Sequence, residues 1–358
     1  HGPCRRRFAH PRYESLGDAT FFPWRGARTA KVSIGRYGCN LLRDGGHRMN
    51  LPSLALGHDR TRIVPHIGAV LELTKPKIAL LELLTVWVAA CVACSGIPGN
   101  WVLIVNALVG TALVAASAST LNQWLERYPD AQMLRTAERP LPSGEVSERE
   151  AFLIGVITMV IGTVYLAVFV HWLTAVLGLM TWVLYVCVYT PLKRRTSANT
   201  VVGAVAGALP VLMGASAVLS DGGTREGLLL AAILFGIVFF WQFPHFMAIA
   251  WIYRDDYRRA GFKMLTVTEP TGRVAGLQAV ASSALLLPLS LLPAVMMKTG
   301  PFYFFLAMML SLLQLAVAID FLFRPTDRSA RRMLRMSLIY LPALFGMLWL
   351  SPFVFPWL

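Results

Sequence analysis

The chain predicts an all-α, polytopic membrane protein, and three observations carry that prediction. The first is composition. Of 358 residues, 56% are hydrophobic and only 15% are charged, and mean hydropathy is +0.57. Soluble domains hold about 25% charged residues. The second is run length. From Ile67 onward, apolar stretches alternate with short polar loops, giving nine spans at 77–96, 101–121, 150–170, 172–190, 199–219, 227–252, 274–297, 301–323 and 334–354. Each is close to the ~20 residues that carry a helix across the hydrocarbon core; a closed β-barrel needs short alternating strands instead. The third is charge placement. The loops after the second, fourth, sixth and eighth spans are rich in Lys and Arg, whereas the loops after the others hold only Arg225 and Lys298. The positive-inside rule then predicts a cytoplasmic N-terminus and, with nine spans, a C-terminus outside.

The formal net charge of +14 follows from this topology and from anionic lipid, so the basic surplus does not point to nucleic acid. Residues 1–66 differ from the rest, with twelve Lys and Arg against four Asp and Glu and no sustained periodicity. They are expected to form a basic, disordered extension ahead of a membrane domain at 67–358. The first residue is His1, so this segment is read as a fragment's start, an upstream translation artefact or a disordered tail, with Met49 a candidate start. It lacks the apolar stretch of a signal peptide. Cys91 and Cys94 form C-x-x-C inside an apolar run, where packing of small residues between helices explains them better than redox or metal chemistry. No disulfide framework is implied among the five cysteines.

The chemistry gathers in loops that the charge pattern places on one side. Asn122, Glu126 and Asp130 stand four residues apart, a spacing that keeps three oxygen ligands on one face of a helix. Pro129 is expected to bend or stop that helix. Arg135 and Arg139 follow. Carboxylates suit Mg²⁺, which takes one or two of them plus phosphate oxygens, and guanidinium groups grip phosphate with a planar fork. The same stretch can equally be a solvated loop of mixed charge. Lys193, Arg194 and Arg195 close the fourth span as membrane anchors or phosphate contacts, and Lys75 and Lys77 flank Pro76 with the same two options. Gly203, Gly207 and Gly214 allow close helix approach or leave room for a ligand. In the sixth span, Gln242 and His245 are expected to share a face, with Pro244 as a kink and Asp256 three turns further along that face. Glu82 lies inside the first span, where it must be neutral or paired. Asp320 is expected to pair with a nearby Arg.

Five segments together resemble a known family: L-T-K-P-K at 73–77, N-Q-W-L-E-R-Y-P-D at 122–130, R-T-A-E-R-P-L-P-S-G at 135–144, Y-T-P-L-K-R-R-T at 189–196, and W-Q-F-P-H-F with D-Y-R-R-A-G-F-K-M-L at 241–265. The chain is similar, from about Leu71 to its C-terminus, to the UbiA-type membrane prenyltransferases, and within them to the haem-farnesylating branch. The resemblance implies nine helices around a central cavity roofed by cytoplasmic loops, in the bacterial inner membrane. It implies farnesyl transfer from farnesyl diphosphate to a vinyl group of haem b with water addition, giving haem O. It implies Mg²⁺ on Asn122, Glu126, Asp130 and Asp256, diphosphate contacts from Arg135, Arg139, Lys193 and Arg194, and haem contacts from His245 and Gln242. A haem A synthase or terminal oxidase assembly is the implied partner. Glu126 departs from the family's usual Asp, and the second acidic motif is reduced to Asp255 and Asp256, which bears on a second magnesium cluster. Transfer to a quinone precursor and a transporter role remain as alternatives at this stage. His245 is left as an axial ligand, a propionate contact or an orienter of Gln242.

Overall fold

The computed structural model describes residues 63–94, 96–219, 223–296 and 300–354. Most of the basic segment 1–66, with Met49, Cys4 and Cys39, lies outside them; its last residues open α1 (Ile63–Leu73). Then follow α2 (Pro76–Ala93), α3 (Trp101–Ala131), α4 (Glu148–Phe169) and α5 (Trp172–Trp182), which continues through a π-helical stretch, Val183–Tyr189, into the short α6 (Thr190–Leu192). The chain goes on as α7 (Asn199–Ala217), α8 (Arg225–Ile252), α9 (Arg254–Arg259), α10 (Leu265–Thr268), α11 (Arg273–Met296), α12 (Gly300–Phe323) and α13 (Asp327–Val354). Among the described residues nine helical segments are long and apolar enough to cross a membrane, and they coincide with the nine expected spans.

Several helices start where a polar side chain takes an orphan backbone N–H. Asn100 accepts from Leu103 N, Ser147 from Glu150 N, and Thr224 from Gly227 N. Between the third and fourth spans, His171 Nδ1 accepts from Leu173 N and starts α5. α13 begins seven residues before the expected 334, because Thr326 and Ser329 cap each other's backbone N–H groups. Hydropathy missed those turns, since they carry the arginines.

The helices pack as sequential neighbours, α3 on α4, α11 on α12 and α12 on α13, while α7 lies against α2, α5 and α8. α7 is the most enclosed span, with 72% of its apolar window buried against 17% for α4. Its small residues make this possible. A Cβ on Gly214 would sit 2.1 Å from Val86 O of α2, and one on Gly207 would sit 2.3 Å from Gln242 Oε1 of α8. Backbone therefore touches backbone where dispersion contacts, not water, hold helices together. Cys91 is buried and unbridged, and Cys94 is half-buried. Asp320 pairs with Arg332 at 2.9 Å.

Two expectations about helix continuity are corrected. α3 does not stop at Pro129 but runs to Ala131. The proline lies in the last turn, and the carbonyl of Asp130 behind it is satisfied by Thr136 Oγ1 at 2.8 Å and Met133 N at 3.2 Å. α8, by contrast, ends at Ile252, and Arg254–Arg259 forms a separate helix. The eleven-residue spacing therefore does not put His245 and Asp256 on one helix face.

Candidate active site

The site is built at the C-terminal end of α3. Asn122, Glu126 and Asp130 are buried on one continuous helix, at 2%, 6% and 1% exposure, and each faces a cation or its relay. Lys75 Nζ donates to Asn122 Oδ1 at 3.2 Å, and Asn122 Nδ2 donates to Thr190 Oγ1 at 3.0 Å. Lys193 Nζ stands 2.9 Å from Glu126 Oε1 and donates to Oε2 at 3.1 Å. Arg139 Nη1 donates to Asp130 Oδ2 at 2.7 Å.

Local structure explains these placements. Lys75 precedes Pro76 and takes a left-handed backbone, φ 48°, which turns its side chain back toward α3. Gln123 Nε2 donates to Leu73 O at 2.8 Å and anchors that turn. On the far side, Thr190 Oγ1 donates to Tyr185 O at 2.8 Å, across the π-helical stretch. π-helical insertions cluster at functional sites. The Tyr185 and Tyr189 rings lie 5.5 Å apart, and Lys193 Nζ sits 4.5 Å above the Tyr189 ring. The third loop closes in through Lys263 N, which donates to Lys193 O at 2.7 Å, and through Phe262, packed with Met133 and Met264. The loops after α3, α6 and α9 thus meet over one site. Between them a cavity of about 370 Å³ is lined by Glu126, Thr190, Arg194, Arg195 and Phe262.

The electrostatics are those of an anion site. Burial pushes the Lys75 amine down to about 7, and the positive charges of Arg139 and Lys193 add to that. Burial also works against the Lys193 ammonium, yet Glu126, Tyr189 and Tyr185 together hold it above the ordinary lysine value. Arg194 is exposed at the cavity rim. Arg135 is exposed and stacked 4.6 Å over the Tyr253 ring.

For a magnesium ion the donor set fits in part. Among the described residues no three His, Cys, Asp or Glu side chains converge as a metal-holding group. Glu126 and Asp130 are nonetheless one turn apart; Asp130 Oδ1 is buried without a hydrogen bond, and Glu126 Oε1 is held by the Lys193 ammonium alone. Two such carboxylates with the Asn122 amide match an ion that completes its shell with water and phosphate oxygens. Asp256 lies on α9, where its Oδ1 accepts from Arg259.

Gln242 and His245 lie elsewhere and point apart. Gln242 Nε2 donates to Ala204 O at 3.0 Å, clamping α8 to α7. His245 Nδ1 meets Ser337 Oγ of α13 at 3.0 Å, and its ring stacks on Trp241 at 5.1 Å. An i,i+3 step on a helix leaves a ~60° offset, enough to give the two residues different neighbours. His245 therefore does not orient Gln242. Sequence reasoning assigned Thr190 no role and left Lys75 undecided; the signal for each was its place before a proline inside a segment that carries the resemblance.

Comparisons with known proteins identify the family and the fold. The model of the UbiA prenyltransferase family matches residues 83–357. Proteins named protoheme IX farnesyltransferase are 39% identical in Koribacter versatilis, over 78% of this chain and 92% of that protein, and 41% identical in Opitutus terrae, with the same coverage. Among solved structures, a chain from a study of digeranylgeranylglyceryl phosphate synthase in membranes superposes with TM-score 0.67 at 15% identity, over 80% of this chain and 98% of that one. A UbiA homolog from Archaeoglobus fulgidus bound to GPP and Mg²⁺ does so with TM-score 0.54 at 18% identity, over 78% and 99%. At these identities the structural likeness speaks for the fold.

Proposed function

The chain belongs to the UbiA prenyltransferase family, and we propose that it transfers the farnesyl group of farnesyl diphosphate to a vinyl group of haem b, with addition of water, giving haem O and diphosphate. The observation that carries this reading is the pairing of buried carboxylates with cations at one mouth of a membrane bundle: Glu126 with Lys193 and Asp130 with Arg139. Such a mouth suits the head group of a prenyl diphosphate. The choice of haem as acceptor and farnesyl as donor rests on relatives that are near 40% identical along almost their whole length and carry the name protoheme IX farnesyltransferase.

The hard step is breaking an allylic C–O bond, for which diphosphate must lose much of its negative charge. Asn122, Glu126 and Asp130 would hold a magnesium ion, which would supply part of that neutralisation. The chain supplies the rest. Lys193 and Lys75 stand beside the carboxylates, Arg139 can turn from Asp130 to phosphate, and Arg135 and Arg194 border the entrance. Charges fixed before the reaction cost no reorganisation as the leaving group develops. The isoprenoid chain extends into the apolar interior, where scarcity of water protects the allylic cation. With the basic loops facing the cytoplasm, the site opens on the inner face of a bacterial inner membrane.

The test is expression in a cell lacking its own haem O synthase, followed by haem extraction and mass analysis. Haem O is the expected product. Prenylated 4-hydroxybenzoate in its place, or no prenylated product with protein present in the membrane, would refute the assignment.

A further inference from the structure

Asn122 offers the site an amide with two unlike ends, a carbonyl oxygen that can meet a cation and an NH2 group that cannot. Its neighbours decide which end faces the charges. Asn122 Nδ2 donates to Thr190 Oγ1 at 3.0 Å, and Thr190 Oγ1 donates to Tyr185 O at 2.8 Å. A hydroxyl has one proton to give, and a carbonyl can only accept it. The Thr190 proton is therefore spent on Tyr185, and toward the amide the Thr190 oxygen can only accept. That leaves the amide one orientation, with Oδ1 on the side of Lys75, whose Nζ donates to it at 3.2 Å. Asn122 and Thr190 are 2% and 3% exposed, so bulk water competes for neither bond.

The backbone is shaped to put Thr190 there. Its N–H also bonds Tyr185 O, five residues back, where an α-helix would use the carbonyl four back. The wider step takes up one extra residue and turns everything after it by about 100°, and Thr190 ends up facing α3. Holding the helices together does not require its hydroxyl. Trp182 Nε1 donates to Ser117 Oγ at 2.9 Å and already ties this segment to α3, while Thr174 Oγ1 meets Ser216 Oγ at 2.8 Å and ties α5 to α7. A valine has the shape of a threonine and would fill the same space. What the hydroxyl alone contributes is the acceptor that holds the amide.

We propose that Thr190 is a positioning residue of this site: its hydroxyl locks the Asn122 amide so that Oδ1, and not Nδ2, is presented to the magnesium ion and the prenyl diphosphate. The inference rests on the diphosphate half of the reading above and is independent of the acceptor. Without the lock the amide is free to turn. Its NH2 group loses a buried partner and offers a donor where the ion needs an oxygen. Affinity for the ion falls, while Glu126, Asp130 and the surrounding cations keep their places, so an excess of Mg²⁺ recovers turnover.

The test titrates Mg²⁺ into the purified full chain in lipid. One arm follows the thermal midpoint in the presence of a non-hydrolysable phosphonate analogue of farnesyl diphosphate, without haem. The other follows diphosphate release with farnesyl diphosphate and haem b. Thr190→Val is expected to need about 10- to 100-fold more Mg²⁺ for half of the midpoint rise and for half-maximal release, with a plateau rate close to that of the wild type. Thr190→Ser keeps the hydroxyl and is expected to restore the wild-type requirement. An unchanged Mg²⁺ requirement in Thr190→Val overturns the proposal. So does a shift that Thr190→Ser shares, or a lowered plateau that excess Mg²⁺ does not restore, since a merely structural fault acts in that way. Should Thr190→Val fail to accumulate, Thr190→Ala decides on the same titration, and a wild-type requirement there overturns the proposal. If the wild-type midpoint does not respond to Mg²⁺ and the analogue, the diphosphate reading of the site fails instead, and the two failures are thereby told apart.

Discussion

Replacing Lys193 by Met tests the electrostatic core of the site. Its ammonium lies 2.9 Å from Glu126 Oε1, and the two side chains are 14% and 8% exposed. At an effective dielectric of about 20, charges ~3 Å apart attract by about 5 kcal/mol, much of it offset by their desolvation. Removing one partner of a buried pair typically costs about 3–5 kcal/mol, because the other charge is stranded. In the ligand-free protein that loss should appear as a lower thermal midpoint. Mg²⁺ and farnesyl diphosphate should restore part of it, since Glu126 regains a cation. Turnover should not recover. Losing one fixed charge that meets the leaving group costs about 2.7–4 kcal/mol, or 10²–10³ in kcat. The assay is haem O formation and diphosphate release at saturating substrate, on protein matched for membrane content. Turnover within tenfold of wild type would show that Lys193 is a membrane anchor and not part of the charge-neutralising set.

Other expectations follow from the same geometry. Asp130→Ala should lower turnover at least about a hundredfold with the protein still inserted, and near-normal haem O formation at saturating Mg²⁺ would remove Asp130 from the ion's ligands. Gly214→Ala drives a methyl to 2.1 Å from Val86 O, so α2 and α7 must separate at a cost of about 1–3 kcal/mol; an unchanged midpoint in thermal unfolding would contradict that packing. Lys75, held at about 7 in the folded protein against 10.5 unfolded, binds fewer protons folded than unfolded between those values, so it adds stability as pH rises through that window. A bound diphosphate favours its charged form. Ligand binding at pH 8 should therefore take up a proton, and affinity should fall as pH rises further. Calorimetry in buffers of different ionisation enthalpy measures the uptake, and Lys75→Met should abolish it.

The spans were legible because crossing a membrane is a demand on length and polarity, both of which can be read locally. Composition and the ~20-residue runs located all nine helices, and the i,i+4 spacing put Asn122, Glu126 and Asp130 on one face before any coordinates were known. The limits of hydropathy showed where polar residues extend a helix. Pro129 lies inside α3 and the arginines of α13 belong to its first turns, since both are stabilised by caps several residues away. Asp256 does not share a helix face with His245 for a related reason: helical spacing extrapolates only while the helix continues, and α8 ends at Ile252.

Pairing belonged to the tertiary structure. Lys75 and Asn122 are 47 residues apart, and Lys193 and Glu126 are 67 apart; no local pattern says which cation meets which acid. The same holds for Gln242, which reads as a site residue in a polar motif and instead holds α8 against the glycine face of α7. Residue types and periodicity decided what this chain is made to dissolve in and which groups it could use. Which of those groups face each other across a low-dielectric cavity depended on helix-to-helix packing, because contacts of a few ångströms between distant segments are set by the whole bundle and by no stretch of it alone.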